Sequence, residues 1–146
     1  MNDLFQFSKI SEWIPFLAKG LWITLTITFV SAIIGLVIGI GFVLMRKQKS
    51  FRPISVLIVD ILRGTPVILQ LSLVYFALPQ VVNRLFNLLS MRATFQIAGL
   101  TAALITFSIN SGAYISEIIR SGVNSVDKGE IEAAKALGIP KFYLYK

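Results

Sequence analysis

From Leu21 to Met45 the chain carries no ionisable side chain, and this run constrains the fold more than any other feature. A hydrocarbon core about 30 Å thick needs roughly 20 apolar helical residues to cross it, so the run reads as a transmembrane helix. Composition points the same way, because 55% hydrophobic against 14% charged residues leaves no stretch that reads as a soluble domain. A secretory signal peptide is a poor alternative. The stretch outruns an h-region, and Asp3 and Glu12 precede it without a small-residue cleavage site.

The chain has no Cys and no His, which removes disulfides, thiolate nucleophiles, imidazole bases and the usual zinc ligands together. It also has no G-x-x-x-x-G-K-[ST] loop, so it has no recognisable means of hydrolysing ATP. An enzyme is not expected, nor a cofactor or metal bound by this chain. The net charge of +7 matters through its placement. Arg46, Lys47, Lys49 and Arg52 crowd the end of the first apolar run, and Arg120, Lys128, Lys135, Lys141 and Lys146 follow the last, while Lys9, Lys19, Arg84 and Arg92 are scattered elsewhere. The positive-inside rule puts the first group in the cytoplasm and the N-terminus outside. Nucleic acid is not the expected partner, since these cations flank bilayer spans and lack interleaved aromatics.

Three spans are expected: about 20–45 going inward, 54–82 going outward with a break near 63–66, and 97–119 going inward. Everything after Arg120 is then cytoplasmic, and residues 83–96 form an outer loop. Ser31, Gly35 and Gly39 recur at four-residue spacing, with Gly41 nearby. Small residues on one face let two helices approach closely in lipid, so Gly35 and Gly39 mark a packing face against a helix of this chain or another.

Two places carry polar groups at membrane depth. In "VDILRGTPVILQL" the residues Asp60, Arg63, Gly64, Thr65 and Pro66 interrupt the second run. Pro66 lacks an N–H and pushes Thr65 out of helical dihedrals, while Gly64 tolerates unusual ones, so the helix kinks or breaks there. Asp60 and Arg63 are three apart, close enough to pair. The alternative places "LRGTP" as an elbow at the cytoplasmic interface, with Arg63 reaching headgroups and the run from Val67 to Val82 making a short crossing by itself. In the third run Asn110, Tyr114 and Glu117 follow i, i+4, i+7 beside Ser111, a polar stripe that faces a partner helix or a wet cavity and is a possible substrate path. Glu117 has Arg120 and Arg63 as candidate partners.

The segment "SGVNSVDKGEIEAAKALGIP" reads as a short helix. Asp127 is the N-cap, Glu130 follows three residues later in a capping-box pattern, and Gly138 closes the helix with Pro140 beyond. Ala133, Ala134, Ala136 and Leu137 give it a shallow apolar surface, suited to docking on another protein or to a plain connection.

At these residues a family resemblance appears. "GEIEAAKALG", with Glu132, Ala133, Ala134 and Gly138 in the pattern E-A-A-x-x-x-G, resembles the EAA loop of ABC importer permeases. "LRGTPVILQL", "AYISEIIRSGVNSV" and "GLWITLTITFVSAIIGLVIGIGFVLMR" are similar to the polar amino-acid branch of that family, so the resemblance covers about residues 17–146. It implies an all-α membrane protein of MetI-like permease fold in the bacterial inner membrane, here its N-terminal three spans and a cytoplasmic coupling helix. It also implies a second permease subunit in a homo- or heterodimer, an extracytoplasmic solute-binding protein, an amino-acid substrate, and ABC ATPase subunits held through the EAA loop at Gly129, Glu130, Glu132, Ala133, Ala134, Leu137 and Gly138. Two departures stand out: Glu130 occupies a position where the family usually has Gln, and the family's motif continues to an I-x-L-P element and further spans. The whole chain, 1–146, is therefore expected to be one incomplete permease domain. The competing expectation is a short membrane scaffold or remnant that does not move solute.

Overall fold

The computed structural model describes residues 10–140, which are helical apart from short connections. Asp3, Lys9, Lys141 and Lys146 lie outside the described residues, as do the side chains of Glu12 and Lys128. The elements are α1 (Ile10–Lys47), α2 (Arg52–Gly64), α3 (Val67–Ser72), a wide π turn (Leu73–Ala77), α4 (Leu78–Leu88), α5 (Gly99–Asn124) and α6 (Lys128–Ala136). Among the described residues, three stretches are long and apolar enough to cross a bilayer: Trp13–Lys47, Val67–Leu88 and Gly99–Asn124.

Helix α1 is apolar all round through its central run, and its threonine hydroxyls at 24, 26 and 28 are satisfied locally, whereas the buried Ser31 Oγ has no hydrogen-bond partner. Thr24, Thr26 and Thr28 donate to the carbonyls of Gly20, Trp22 and Thr24 at 3.0, 2.8 and 2.9 Å. Lipid offers no water to these groups, so bonding back to the preceding turn is what lets threonine sit there. With 38 residues, α1 is about 57 Å long, well beyond the hydrocarbon thickness.

The second crossing is shorter than 54–82 and follows the alternative of an elbow with the crossing starting at Val67. Residues 52–64 form a separate amphipathic helix of 13 residues, about 20 Å long and too short to cross. Thr65 is extended, with φ −110° and ψ 143°, because the ring of Pro66 excludes the residue before it from helical space. The crossing stretch is Val67–Leu88, which begins directly after the break. Helix α2 instead folds back on α1: Ser55 and Val59 are fully buried, and Ser55 Oγ donates to the carbonyl of Phe42 at 3.1 Å. Within the crossing, Pro79 has no N–H for the carbonyl of Tyr75 and its ring crowds that group. The turn ahead of it widens, and the Leu78 N–H reaches back to the carbonyl of Leu73.

The loop expected over 83–96 starts later, since α4 runs to Leu88. Asn83 is helical yet still serves the loop: its amide accepts from the Phe95 N–H at 2.7 Å and donates to the Phe95 carbonyl at 3.0 Å.

The core is the crossing of α1 and α5, and it is built from small residues. Ala102, Ala103, Thr106, Ser108, Gly112, Ala113 and Ser116 of α5 are buried. Gly35 and Gly39 face them: a Cβ built on Gly35 would lie 2.8 Å from Ser111 Cβ and 3.2 Å from the Gly112 nitrogen, and one on Gly39 would lie 3.0 Å from the Gly112 carbonyl oxygen. The partner of this stripe is thus within the chain. With lipid as apolar as any side chain, close backbone approach and dispersion contact hold the pair together.

Candidate functional site

The chemistry gathers at one end of this crossing, in two connected groups. The first is the break itself. Ending α2 at Gly64 leaves carbonyls with no helical donor, a costly state inside a membrane. Gln70 supplies donors: its Nε2 lies 2.8 Å from the Leu62 carbonyl, 3.2 Å from the Thr65 carbonyl and 2.8 Å from Thr65 Oγ1. Thr65 Oγ1 in turn donates to the Ile61 carbonyl at 2.8 Å. From α5, Asn110 Nδ2 reaches Gln70 Oε1 at 3.2 Å and the Leu62 carbonyl at 3.4 Å. The break is a capped elbow tied to α5. Gln70 escaped the sequence reading; the available signal was a lone amide four residues after Pro66 in an otherwise apolar run.

The second group centres on Glu117. Arg46, in the last turn of α1, donates Nη1 to Glu117 Oε2 at 2.8 Å, and Arg63 Nη1, in the last turn of α2, lies 3.8 Å from the same oxygen. Arg120, one turn along α5, binds the other oxygen through Nε at 2.7 Å and through Nη2. Three helices therefore converge on one carboxylate. Burial is uneven: the side chains of Arg46 and Glu117 are 12% and 16% exposed, against 37% for Arg63 and 49% for Arg120. The Arg46 pair is the structural tie, because exposed pairs contribute little. Arg63 also lies over the Tyr114 ring, 5.5 Å from its centroid, a cation–π contact.

Arg63 turns to Glu117 and Tyr114, and no Arg63–Asp60 ion pair forms among the described residues. Asp60 instead borders an open cavity of about 630 Å³ that also reaches Arg46, Arg52, Glu117 and Arg120. Arg46 was missing from the expected cluster, since sequence spacing on α5 says nothing of which α1 residue lies opposite.

The polar stripe of α5 divides. Asn110 serves the elbow, Tyr114 underlies Arg63 and Glu117 gathers the arginines. Ser111 sits about 100° further round the helix, packed against Gly35 and bordering a recess with Thr24, Thr28 and Ser31. The structure does not bring it to the other three.

Beyond the cluster, α6 is a complete, punctuated helix. Asp127 Oδ1 accepts from the Gly129 N–H at 2.6 Å. No return bond from Glu130 closes a capping box among the described residues. At the far end Gly138 has φ 74°. Its N–H bonds the Lys135 carbonyl at 3.0 Å, and the Ile139 N–H bonds the Ala134 carbonyl at 3.1 Å. These are the paired bonds of a Schellman cap. Ile131 and Ala134 are half-buried, whereas Glu132, Ala133, Leu137 and Gly138 are exposed.

A small-residue helix crossing, a capped elbow and an arginine-ringed carboxylate at one end define a polytopic helical membrane protein. Residues 31–146 match the family described as "Binding-protein-dependent transport system inner membrane component". The arginine transport system permease protein ArtQ of Bacillus subtilis is 48% identical over 138 residues, covering 92% of this chain and 58% of ArtQ. The putative glutamine transport system permease protein GlnP of Rickettsia bellii is 42% identical, covering 94% of this chain and 59% of its own length. A crystal structure described as an amino acid ABC transporter with histidines superposes with a TM-score of 0.80 at 30% identity, over 97% of this chain and 62% of that one. The chain belongs to this family of inner-membrane transport components. It spans somewhat under three-fifths of the length of these curated relatives.

Proposed function

We propose that this chain forms part of the membrane path of an ATP-driven amino-acid importer and couples to an ATP-hydrolysing subunit through α6. The observation that carries the reading is α6 itself: a nine-residue helix with Glu132, Ala133, Leu137 and Gly138 exposed, at the end of the bundle that holds the cationic flanks. Amino-acid cargo is supported by the relatives named above, two of which are called arginine and glutamine transport permeases. With the cationic flanks in the cytoplasm, the N-terminus lies outside and α6 lies inside. A second permease subunit and an extracytoplasmic solute-binding protein complete the assembly.

In this reading the Glu117 cluster fixes α1, α2 and α5 to one another where α6 leaves α5, so a displacement of α6 moves all three. The exposed edge of α5 at Tyr114 faces the substrate path, with Asn110 behind it. Coupling requires that nucleotide bind one arrangement of the helices more tightly than the other, since equal affinity shifts nothing. The test is co-purification of the ATP-hydrolysing subunit with Ala133→Trp, Gly138→Leu and Glu132→Gln variants. Both bulky variants lose the subunit, while Glu132→Gln weakens its recovery. Normal recovery with both bulky variants contradicts the proposal.

A further inference from the structure

We infer that the cavity beside Glu117 is a binding site for the phosphate headgroup of an anionic phospholipid. The inference rests on the membrane placement of the chain and not on transport. Four cations border the cavity, Arg46, Lys47, Arg52 and Arg120, against two carboxylates, Asp60 and Glu117. One carboxylate is already committed. Glu117 offers about four acceptor positions and each guanidinium carries five donors, so three arginines around it leave most of their N–H groups unanswered. Arg46 shows the surplus directly, because its Nε is buried and has no hydrogen-bond partner.

The rest of the lining selects the kind of anion. Val43, Val56, Ile119 and Val123 also border the cavity, and an inorganic ion has no use for apolar wall. A phosphodiester carrying acyl chains has use for both surfaces. Arg46 and Lys47 are in the last turn of α1, at the end of a crossing, where headgroups lie. Lys47 and Arg52 are exposed at the rim, placed to meet a headgroup phosphate while Arg46 and Arg120 meet it from within. Basic pockets between transmembrane helices bind anionic headgroups by this combination of charge and shape.

The protein purified into nanodiscs of phosphatidylcholine with a minority of phosphatidylglycerol tests this, with retained lipid read by native mass spectrometry. Wild type retains phosphatidylglycerol in preference to phosphatidylcholine. Lys47→Gln with Arg52→Gln removes two rim charges that make no bond to Glu117, and retention falls roughly 25-fold, about fivefold per charge. The charge-keeping pair Lys47→Arg with Arg52→Lys restores it, which separates loss of charge from loss of fold. Equal retention by wild type and the Gln pair overturns the inference, as does a wild type with no preference for the anionic lipid. Millimolar inorganic phosphate in phosphatidylcholine discs supplies the remaining arm: it leaves thermal stability unchanged, whereas protection equal to that from phosphatidylglycerol means the site takes free phosphate and the lipid assignment fails.

Discussion

Adding one methyl group at Gly112 probes the α1–α5 crossing with a control built into the same chain. A Cβ there would lie 2.7 Å from Ile38 Cγ2, 2.9 Å from Ile38 Cβ and 3.1 Å from the Gly35 carbonyl oxygen. Neither neighbour yields cheaply. Ile38 is β-branched and held near one rotamer in a helix, and the carbonyl is backbone, so relief comes only by moving the helices apart. Overpacking of this kind costs about 1–3 kcal/mol, while Gly→Ala in a helix returns roughly 0.8–1 kcal/mol. Gly41→Ala gains the second term without the first, because nothing lies within 4 Å of its added Cβ. Subtracting one variant from the other cancels propensity and leaves the overpacking term, so Gly112→Ala is less stable than Gly41→Ala by about 1–3 kcal/mol. Unfolding in mixed micelles with increasing sodium dodecyl sulfate, followed by the fluorescence of Trp13 and Trp22, measures the difference. If the two variants agree within about 0.5 kcal/mol, the crossing is not the tight seam described.

Other sites give separate tests. Gln70→Leu leaves the Thr65 carbonyl without its side-chain donor and the Leu62 carbonyl with only the 3.4 Å bond from Asn110, and destabilises by about 1–3 kcal/mol in the same unfolding assay; Gln70→Glu does no better, since it replaces the donor with an acceptor. Glu117→Gln strips three arginines of their counter-charge and costs about 1.5–3 kcal/mol, and adding Arg46→Gln recovers part of the loss because one buried charge disappears. At φ 74°, Gly138→Ala costs about 1 kcal/mol and shows as faster amide exchange at Gly138 and Ile139 with no change in the α1–α5 seam.

What could be read from sequence was local. The apolar run over 21–45, the break before Pro66 and the punctuation of α6 each depend on residues a few positions apart, where proline geometry and capping chemistry act directly. Gly35 and Gly39 announced a packing face by their spacing, but not the partner. That partner's own signature, Ser108, Gly112 and Ser116 at the same four-residue spacing, lay unread on α5. Whether 54–66 belongs to the second crossing or to an elbow before it stayed open in the sequence, because hydropathy counts Ile and Leu without regard to side, and α2 keeps its apolar residues on one face. Arg46 and Gln70 were illegible for a different reason. Their roles arise from the register of α1 on α5 and from the turn at Thr65, and neither quantity is written in residue spacing along one helix.

The claim that α6 is an inward-facing docking helix is tested most directly by one cysteine at Leu137. The chain has no other cysteine, and this side chain is 80% exposed, so replacement disturbs no packing. A membrane-impermeant thiol reagent applied to intact cells leaves Leu137→Cys unlabelled, and the same reagent labels it in inverted membrane vesicles. In those vesicles, bound ATP-hydrolysing subunit then shields the cysteine from the reagent. Labelling in intact cells would place α6 on the wrong side of the membrane for any contact with ATP, and the account of its function would be contradicted.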